Sequence, residues 1–239
     1  IMSATNAHRL YISRRKKSKP GSGLVPRGFL RYNLPVNNHL CPAFCRREKG
    51  VPMAKQVPSY TGTLRNHSLT IPACDSECSG IRIFGRRIKS LAFSTDVAII
   101  KNINADAIIA VYPFTPQPVI SQAIISVSDV PVFVGVGGGI TTGSRSVRLA
   151  IQSEHQGAYG VVLNAPTSDD VIRQIKKVVD IPVVITVVSA HTDIGSRLEA
   201  GADFLNVSGA AATPEIVAEI RRDFPKVPII ATGGPTEES

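Results

Sequence analysis

The sequence predicts an α/β fold in which parallel strands alternate with helices, and two observations support this. First, short runs rich in Val and Ile recur every 22 to 29 residues. They are VPVFVGVGGG from Val130, YGVVLNAP from Tyr159, IPVVITVVS from Ile181, DFLNVSG from Asp203 and VPIIATGG from Val227. Second, the segments between these runs carry apolar residues at helical spacing. Nearly continuous apolar runs are typical of parallel strands that helices cover on both faces.

This arrangement also predicts where a functional site lies. In parallel sheets and barrels, ligands bind beyond the carboxyl ends of the strands. The residues that close the runs are therefore the candidates, and they read GVGGG, NAP, VVSAH, NVSG and ATGG.

Seven strand and helix units can be followed along the chain. After a short opening strand at IRIF, the predicted strands begin near Ile88, Asp106, Val132, Gly160, Val183, Asp203 and Pro228. The predicted helices lie near 96–103, 117–128 and 143–156, then after Thr167 or Ser168, before Gly201 and from Thr213. An eighth strand would close the ring, so we expect either a truncated barrel or another segment in the gap.

Local signals mark the later helices. The fourth helix has one apolar stripe, formed by Val171, Ile172, Ile175, Val178 and Val179. That stripe is the face predicted to pack on the strands. Gly201 can adopt the left-handed backbone conformation that often ends an α-helix. Thr213 and Pro214 are typical of the first residues of a helix, as the N-cap and the first turn.

The first 78 residues differ from the rest of the chain. They are rich in Pro, Gly, Asn, Ser and basic residues without a sustained period, which predicts an irregular or disordered leader before a barrel domain over 79–239. An Arg-rich, acid-poor composition is compatible with an organelle transit peptide. Alternatively the leader is a non-native extension, since the chain opens with Ile1 and GSGLVPRG resembles a protease-cleavable linker.

Charge is unevenly divided along the chain. Of the 27 Lys and Arg residues, 13 lie in residues 1–73 beside a single acid, Glu48. The remainder holds 14 basic and 17 acidic residues, a net charge of −3. The barrel domain therefore has no basic excess that would favour nucleic acid. No run approaches the length of a membrane-spanning helix, so we expect no membrane partner and a cytoplasmic protein, with organelle import as the alternative.

The four cysteines form two C-x3-C pairs, Cys41 with Cys45 and Cys74 with Cys78. Zinc sites more often use C-x2-C or C-x4-C, and the surrounding segment has little apolar pattern to fold around a metal. Three interpretations of these pairs remain: a zinc site, a disulfide, or thiols without a specific role. Elsewhere Asp96, His191 and Asp193 make a poor ligand set, so the sequence predicts no metal.

From Ile81 to Ser239 the sequence resembles the aldolase-type phosphate-binding (β/α)8 barrels, also called TIM barrels. The resemblance lies mainly in GADFLNVSG, AAATPEIVAEIRR and VPIIATGG. It implies that a Gly-rich loop after the seventh strand holds a substrate phosphate through backbone N–H groups, which assigns Gly233 and Gly234 to phosphate binding. The segments STDVAIIKN, VYPFTPQP and ATGGPT are also similar to bacterial barrels loosely labelled as hydrolases.

GADFLNVSG looks most like deoxyribose-phosphate aldolase, where this strand supplies a Schiff-base lysine. Asn206 stands at that position here, and Ala231 stands where an accompanying lysine would be. Because an amide cannot form an imine, Schiff-base aldolase chemistry is excluded. Nucleotide fingerprints also fail, since Ile140 replaces the last Gly of a dinucleotide motif and Ser144 replaces the Walker lysine.

Polar residues at the predicted strand ends are the remaining site candidates. His191 is the best proton-transfer group because its ordinary pKa lies near neutrality, and Asp193 is close enough in sequence to orient it. Asp96 could act in acid–base chemistry or cap a helix. The residues predicted to contact a ligand are Asn164, Asn206, Ser208 and Thr232.

These observations predict an enzyme of lyase, isomerase or hydrolase type that acts on a small phosphorylated metabolite by proton transfer or hydrolysis. No cofactor is expected. An FMN-dependent oxidoreductase is an alternative, because Gly-rich loops after late strands also bind that cofactor's phosphate. A non-catalytic sensor of phosphorylated metabolites is another. An incomplete barrel would have an unpaired edge strand that can pair with a second copy of the chain, so a homo-oligomer is a further expectation.

Overall fold

The computed structural model describes residues 8–13, 58–60, 62 and 69–232. The strands are β1 His8–Ser13, β2 Ile81–Ile83, β3 Arg86–Ile88, β4 Ser90–Phe93, β5 Ala107–Ala110, β6 Val132–Gly137, β7 Gly160–Leu163, β8 Val183–Val187, β9 Phe204–Val207 and β10 Ile229–Thr232. The helices are α1 Val97–Asn102, α2 Pro118–Val127, α3 Ser144–His155, α4 Asp169–Lys176, α5 Ile194–Glu199 and α6 Thr213–Asp223. Short 3₁₀ helices cover Ala73–Glu77 and Ala210–Ala212.

The main sheet is a closed barrel with the strand order β1-β10-β9-β8-β7-β6-β5-β4. From β4 to β10 every neighbouring pair is parallel, and a helix follows each strand from β4 to β9. The predicted α/β class and the seven predicted parallel strands are therefore confirmed. Each strand and helix lies within a few residues of its predicted position.

The eighth position of the barrel is filled by β1, from the basic leader. Its backbone pairs in antiparallel fashion with both edge strands, with Leu10 opposite Thr232 on β10 and Leu91 on β4. Of the two alternatives that the sequence left open, the structure therefore has another segment in the gap. The run HRLYIS is too short, and too close to a cluster of basic residues, for its pattern to predict a strand.

Apolar side chains form two layers, as expected for a barrel inside a ring of helices. The inner layer includes Leu91, Ile109, Phe133, Val162, Val184 and Ile230. The outer layer lies between strands and helices, and Val183, Ile185 and Val187 of β8 contribute to it. Residues on one strand alternate between the layers because successive strand side chains point to opposite faces.

The hairpin β2–β3 closes the amino-terminal end of the barrel. Ile81, Ile83 and Ile88 belong to the same buried cluster as the inner layer. Phe84, at the turn of the hairpin, contacts the ring of Tyr159, just before β7, with the ring centroids 5.2 Å apart. The sequence predicted the first of these strands at IRIF but not the hairpin.

Carboxylates fix the amino-terminal ends of the strands. Asp106 Oδ2 accepts hydrogen bonds from the backbone N–H groups of Lys89 and Ser90, at 2.7 and 3.2 Å. Asp203 Oδ2 accepts from Val183 N at 2.9 Å and also pairs with Lys176. These contacts satisfy N–H groups at the end of the barrel away from the predicted site, where they serve stability.

The chain divides into two units, residues 1–16 with 67–239, which contain the barrel, and residues 17–66. In the second unit only Pro58, Ser59, Tyr60 and Gly62 are described, and Tyr60 is exposed. The predicted domain boundary between residues 78 and 79 stays a prediction. Within the described residues, no helix combines the length and hydrophobicity that crossing a membrane requires.

A glycine on β7 makes room for the largest side chain of the inner layer. A Cβ at Gly160 would lie 2.6 Å from Phe133 Cδ1 and 3.1 Å from the Pro182 carbonyl oxygen. We expect Gly160→Ala to lower the free energy of unfolding by about 2 kcal/mol through overpacking. Phe133→Leu in the same chain should recover part of that loss, measured by urea denaturation of both single variants and the double variant.

Gly195→Ala is the matched control, since a Cβ there makes only ordinary contacts, the closest at 3.4 Å, inside helix α5. It should leave stability unchanged or raise it. Equal losses for Gly160→Ala with and without Phe133→Leu would show that these two residues do not compete for the same space.

Candidate functional site

A cavity of about 280 Å³ opens at the carboxyl ends of β5, β6 and β7. Its walls come from the last residues of β6 and from the loops that follow these three strands. They include Val111, Tyr112, Phe114, Gly135, Gly138, Ile140, Thr141 and Asn164. The cavity therefore lies at the end of the barrel where the sequence placed the site, and the predicted ligand-binding residue Asn164 lines it.

The cavity exists because the carboxyl end of β6 carries almost no side chains. The pairing of β6 with β7 shifts between Gly135 and Gly137, which is a β-bulge. Gly138 follows with φ of +107°, and a Cβ there would lie 2.4 Å from Asn164 Cβ. Glycine is therefore required at Gly138, both for its backbone conformation and for the close approach of the β7 loop.

Internal hydrogen bonds brace both loops that flank the cavity. After β5, Tyr112 Oη accepts from Gln117 N at 2.7 Å, closing a segment that contains Pro113 and Pro116. After β6, the amide of Gly138 donates to the Thr141 carbonyl oxygen at 2.8 Å. Ser146 Oγ, buried at the start of α3, donates to that same oxygen at 3.0 Å. These hydrogen bonds hold the loops after β5 and β6 on either side of the cavity.

A second polar feature lies inside the barrel on β9 and β10. Thr232 Oγ1 donates to Asn206 Oδ1 at 3.2 Å, and the two residues are only 8% and 2% exposed. The Asn206 Nδ2 group has no acceptor among the described residues. Two of the four predicted ligand-binding residues are therefore in direct contact, and their hydrogen bond fixes the orientation of the amide.

His191 lies on the loop between β8 and α5, in an open depression of about 430 Å³. Asp193 lines the same depression, and its Oδ1 caps helix α5 by accepting from Ser196 N at 3.0 Å. The depression also contains an ion pair, in which Arg197 Nη1 lies 2.8 Å from Asp169 Oδ1. Arg197 donates further to the Thr167 carbonyl oxygen and so ties α5 to the β7–α4 loop.

The other predicted residues are placed as follows. Asp96 is exposed and caps helix α1, accepting from Ala98 N at 2.7 Å and Ile99 N at 3.3 Å, and it lines neither of the two cavities above. Ser208 follows β9, and its amide donates to the Val187 carbonyl oxygen at 2.8 Å. Gly233 and Gly234 lie outside the described residues. A catalytic role for Asp96, Asp193 or His191 stays a prediction.

Sequence reasoning missed several parts of the site. It singled out GVGGG as a strand end but assigned no role to its glycines, because a bulge changes which residues face inward and periodicity does not reveal it. It gave no role to Phe114, although VYPFTPQP, with three prolines after a predicted strand, indicates a rigid loop at the mouth. The Asp169–Arg197 pair carried no sequence signal, since its partners lie 28 residues apart.

No group of three or more His, Cys, Asp or Glu side chains is arranged to hold a metal among the residues that the structure describes. Cys74 lies in the 3₁₀ helix Ala73–Glu77 and Cys78 directly follows it. The other pair, Cys41 and Cys45, lies outside the described residues.

No protein-family model and no curated protein matches this chain. Solved structures do resemble it. One is 2,3-dimethylmalate lyase of the PEP mutase/isocitrate lyase superfamily, with 16% identity and a TM-score of 0.45 over 53% of this chain and 56% of that chain. A mandelate oxidase has 16% identity and a TM-score of 0.45, covering 59% and 57%. An aldolase, QR15, has 17% identity and a TM-score of 0.43, covering 57% and 74%.

This chain thus spans 56 to 74% of the length of these three proteins. The fold defines the class of protein, a (β/α) barrel, and the cavity described above opens at the carboxyl ends of three of its strands. That assignment rests on the strand order and on the parallel pairing from β4 to β10.

Two neighbouring glycines give a matched test of the cavity wall. Gly138→Ala should lower the free energy of unfolding by about 3 kcal/mol, because its Cβ would meet Asn164 in a left-handed backbone conformation. Gly139→Ala should cost only about 1 kcal/mol, because its φ is +68° but no atom lies within 4 Å of its Cβ. Chemical denaturation of both variants measures the difference, and equal losses would contradict the close approach of Asn164.

Proposed function

We propose that this chain is a barrel enzyme that acts on a small phosphorylated metabolite by proton transfer or hydrolysis. The substrate binds at the carboxyl-terminal mouth, with its phosphate on the loop that contains Gly233 and Gly234. This follows the resemblance of VPIIATGG and GADFLNVSG to the aldolase-type phosphate-binding barrels. The chain is not a Schiff-base aldolase, because Asn206 stands at the position of the lysine.

The single observation that carries the proposal is the cavity of about 280 Å³ between the β5, β6 and β7 loops. Its size suits a small metabolite, and its walls are braced in advance, so little conformational entropy is lost on binding. It lies at the end of the barrel where enzymes of this architecture place their substrates.

The interior pair of Asn206 and Thr232 supports a ligand that is rich in oxygen atoms. Asn206 is only 2% exposed, and a largely buried amide is stabilised when each of its polar atoms has a hydrogen-bond partner. Because Thr232 donates to Asn206 Oδ1, the Nδ2 group is left as a donor for a carbonyl or hydroxyl oxygen. Thr232 is the last residue of β10, directly before Gly233, so its hydrogen bond links the Asn206 amide on β9 to the strand that leads into the proposed phosphate loop.

His191 is the proposed proton-transfer group, with Asp193 as the neighbouring carboxylate. Both line one open depression, so solvent and ligand can reach the imidazole. The β7–α4 loop separates this depression from the cavity, since Asn164 and Pro166 line the cavity and Ala165 lines the depression. A substrate that lies across this loop could therefore contact both places.

Phosphate binding is tested by a charge placed in the proposed loop. Glycerol phosphate and inorganic phosphate should raise the thermal midpoint of the wild type, and Gly234→Asp should abolish that rise because a carboxylate repels the anion. Gly234→Asn has nearly the same shape without the charge and should keep most of the stabilisation. Equal stabilisation of all three proteins by phosphate would reject the loop as the anion site.

Catalysis is tested by His191→Gln once a substrate has been found by screening phosphorylated metabolites. Loss of a general acid or base should lower kcat by about 100-fold or more. His155→Gln is the matched control, since His155 is an exposed residue at the end of α3, at the opposite end of the barrel. Full turnover by His191→Gln would remove the residue from the mechanism.

A further inference from the structure

Thr141 is a buried polar residue in the wall of the cavity of about 280 Å³. It is 4% exposed and lines that cavity. Its carbonyl oxygen accepts from Gly138 N and from Ser146 Oγ, so its backbone is held from two sides. Its hydroxyl, in contrast, makes no hydrogen bond with any residue that the structure describes. Buried hydroxyl groups are usually hydrogen-bonded, and the cavity is the open space beside this one, so the hydroxyl is available to a ligand there.

Two backbone amides adjoin this hydroxyl. Gly139 and Ile140 lie in the turn that the hydrogen bond from Gly138 N to the Thr141 carbonyl oxygen closes, and both line the cavity. Within the described part of the chain, neither amide donates to another backbone group. No atom lies within 4 Å of the position that a Cβ would take at Gly139, so a ligand can approach the backbone closely. Consecutive N–H groups in a turn form a concave surface that binds anions.

Asn164 adds a side-chain donor from the neighbouring loop. A Cβ at Gly138 would lie 2.4 Å from Asn164 Cβ, and Asn164 N donates to the Gly137 carbonyl oxygen at 3.0 Å. These contacts hold Asn164 against the glycine turn, and the residue lines the same cavity. Its Nδ2 group can donate hydrogen bonds to a ligand. We refer to the two amides, the hydroxyl and the carboxamide, on Gly139, Ile140, Thr141 and Asn164, as the donor cluster.

We propose that the donor cluster binds a carboxylate group. A carboxylate only accepts hydrogen bonds, and its two oxygens offer about four lone-pair positions, which matches the four groups of the cluster. Hydrogen bonds to an ionised acceptor are about twice as strong as those between neutral groups. The four donor groups are themselves neutral. They therefore offset the desolvation of a carboxylate, with one charge, more completely than that of a phosphate dianion.

The inference deepens the proposed function, because it names the chemical group that the cavity receives. It rests on that proposal only for the cavity as the substrate site. The donor cluster lies in the described loops after β6 and β7, so it does not depend on Gly233 or Gly234. The substrate class becomes small molecules that carry a carboxylate.

The experiment is a titration of the full chain with acetate, followed by heteronuclear NMR of the backbone amides. Acetate should shift the Gly139 and Ile140 resonances along one saturable curve. Acetamide, which has nearly the same shape without the charge, should not. Thr141→Val keeps the shape of the side chain and removes the hydroxyl. It should weaken acetate binding about tenfold, as expected for the loss of one hydrogen bond to a charged group.

Thr142→Val is the matched control, because Thr142 is the next residue, is exposed and does not line the cavity. It should leave acetate binding unchanged. Thr141→Val should keep the thermal midpoint of the wild type, since its hydroxyl has no hydrogen bond to a described residue that could be lost. Asn164→Asp is a second variant of nearly the wild-type shape. It places a negative charge in the donor cluster and should abolish acetate binding.

The outcomes separate this inference from the proposed phosphate loop. Equal acetate affinity of Thr141→Val and the wild type, or equal binding of acetamide and acetate, overturns the carboxylate site. Inorganic phosphate that binds at the Gly139 and Ile140 amides more tightly than acetate also overturns it. Gly234→Asp should leave the acetate titration unchanged, and a loss of acetate binding in that variant contradicts the inference. Acetate binding at the donor cluster of a chain that binds no phosphate supports the carboxylate site and rejects the phosphate loop.

Discussion

Residues two apart along a barrel strand share a face, and both apolar layers of this protein depend on that alternation. On β8, Val183, Ile185 and Val187 point to the helices while Val184 points to the barrel interior. The same rule brings Asn206 inside, because it lies between the outward residues Leu205 and Val207. The alternation thus builds the core and also selects the polar group that lies beneath the mouth.

The cavity forms where this alternation is interrupted. At the end of β6 the bulge between Gly135 and Gly137 shifts the pairing with β7, and the four residues that this segment contributes to the cavity before Ile140 are all glycines. Space appears there because no side chain fills it, and Gly138 lets the β7 loop approach closely enough to supply Asn164 as a wall. The amino-terminal end has the opposite character, since the β2–β3 hairpin fills it and Asp106 and Asp203 satisfy the strand ends. The amino-terminal end of the barrel therefore contributes to stability, while the carboxyl-terminal end contains the space that a ligand could enter.

Most of the barrel could be predicted because each strand is a run of Val and Ile long enough to stand out from the helices around it. The hairpin β2–β3 and the leader strand β1 were harder, since each strand is short and finds its partners only in the folded chain. Some residues of the candidate site could likewise be predicted from the sequence, and others could not. Asn164, Asn206 and Thr232 follow from strand ends and side-chain parity, whereas the wall around Gly138 depends on a bulge. Phe114 and Ile140 belong to loops, whose side-chain positions depend on hydrogen bonds such as that between Gln117 and Tyr112.

The strand order relates the separate parts of the mouth to one another. The cavity follows β5, β6 and β7, the His191 loop follows β8, and the interior pair lies on β9 and β10. Neighbouring positions in this order are neighbours in space, so the His191 loop stands between the cavity and the strand that leads into Gly233. The position of β8 beside β7 in the strand order is therefore what brings the His191 loop next to the β7–α4 loop that supplies Asn164 to the cavity wall.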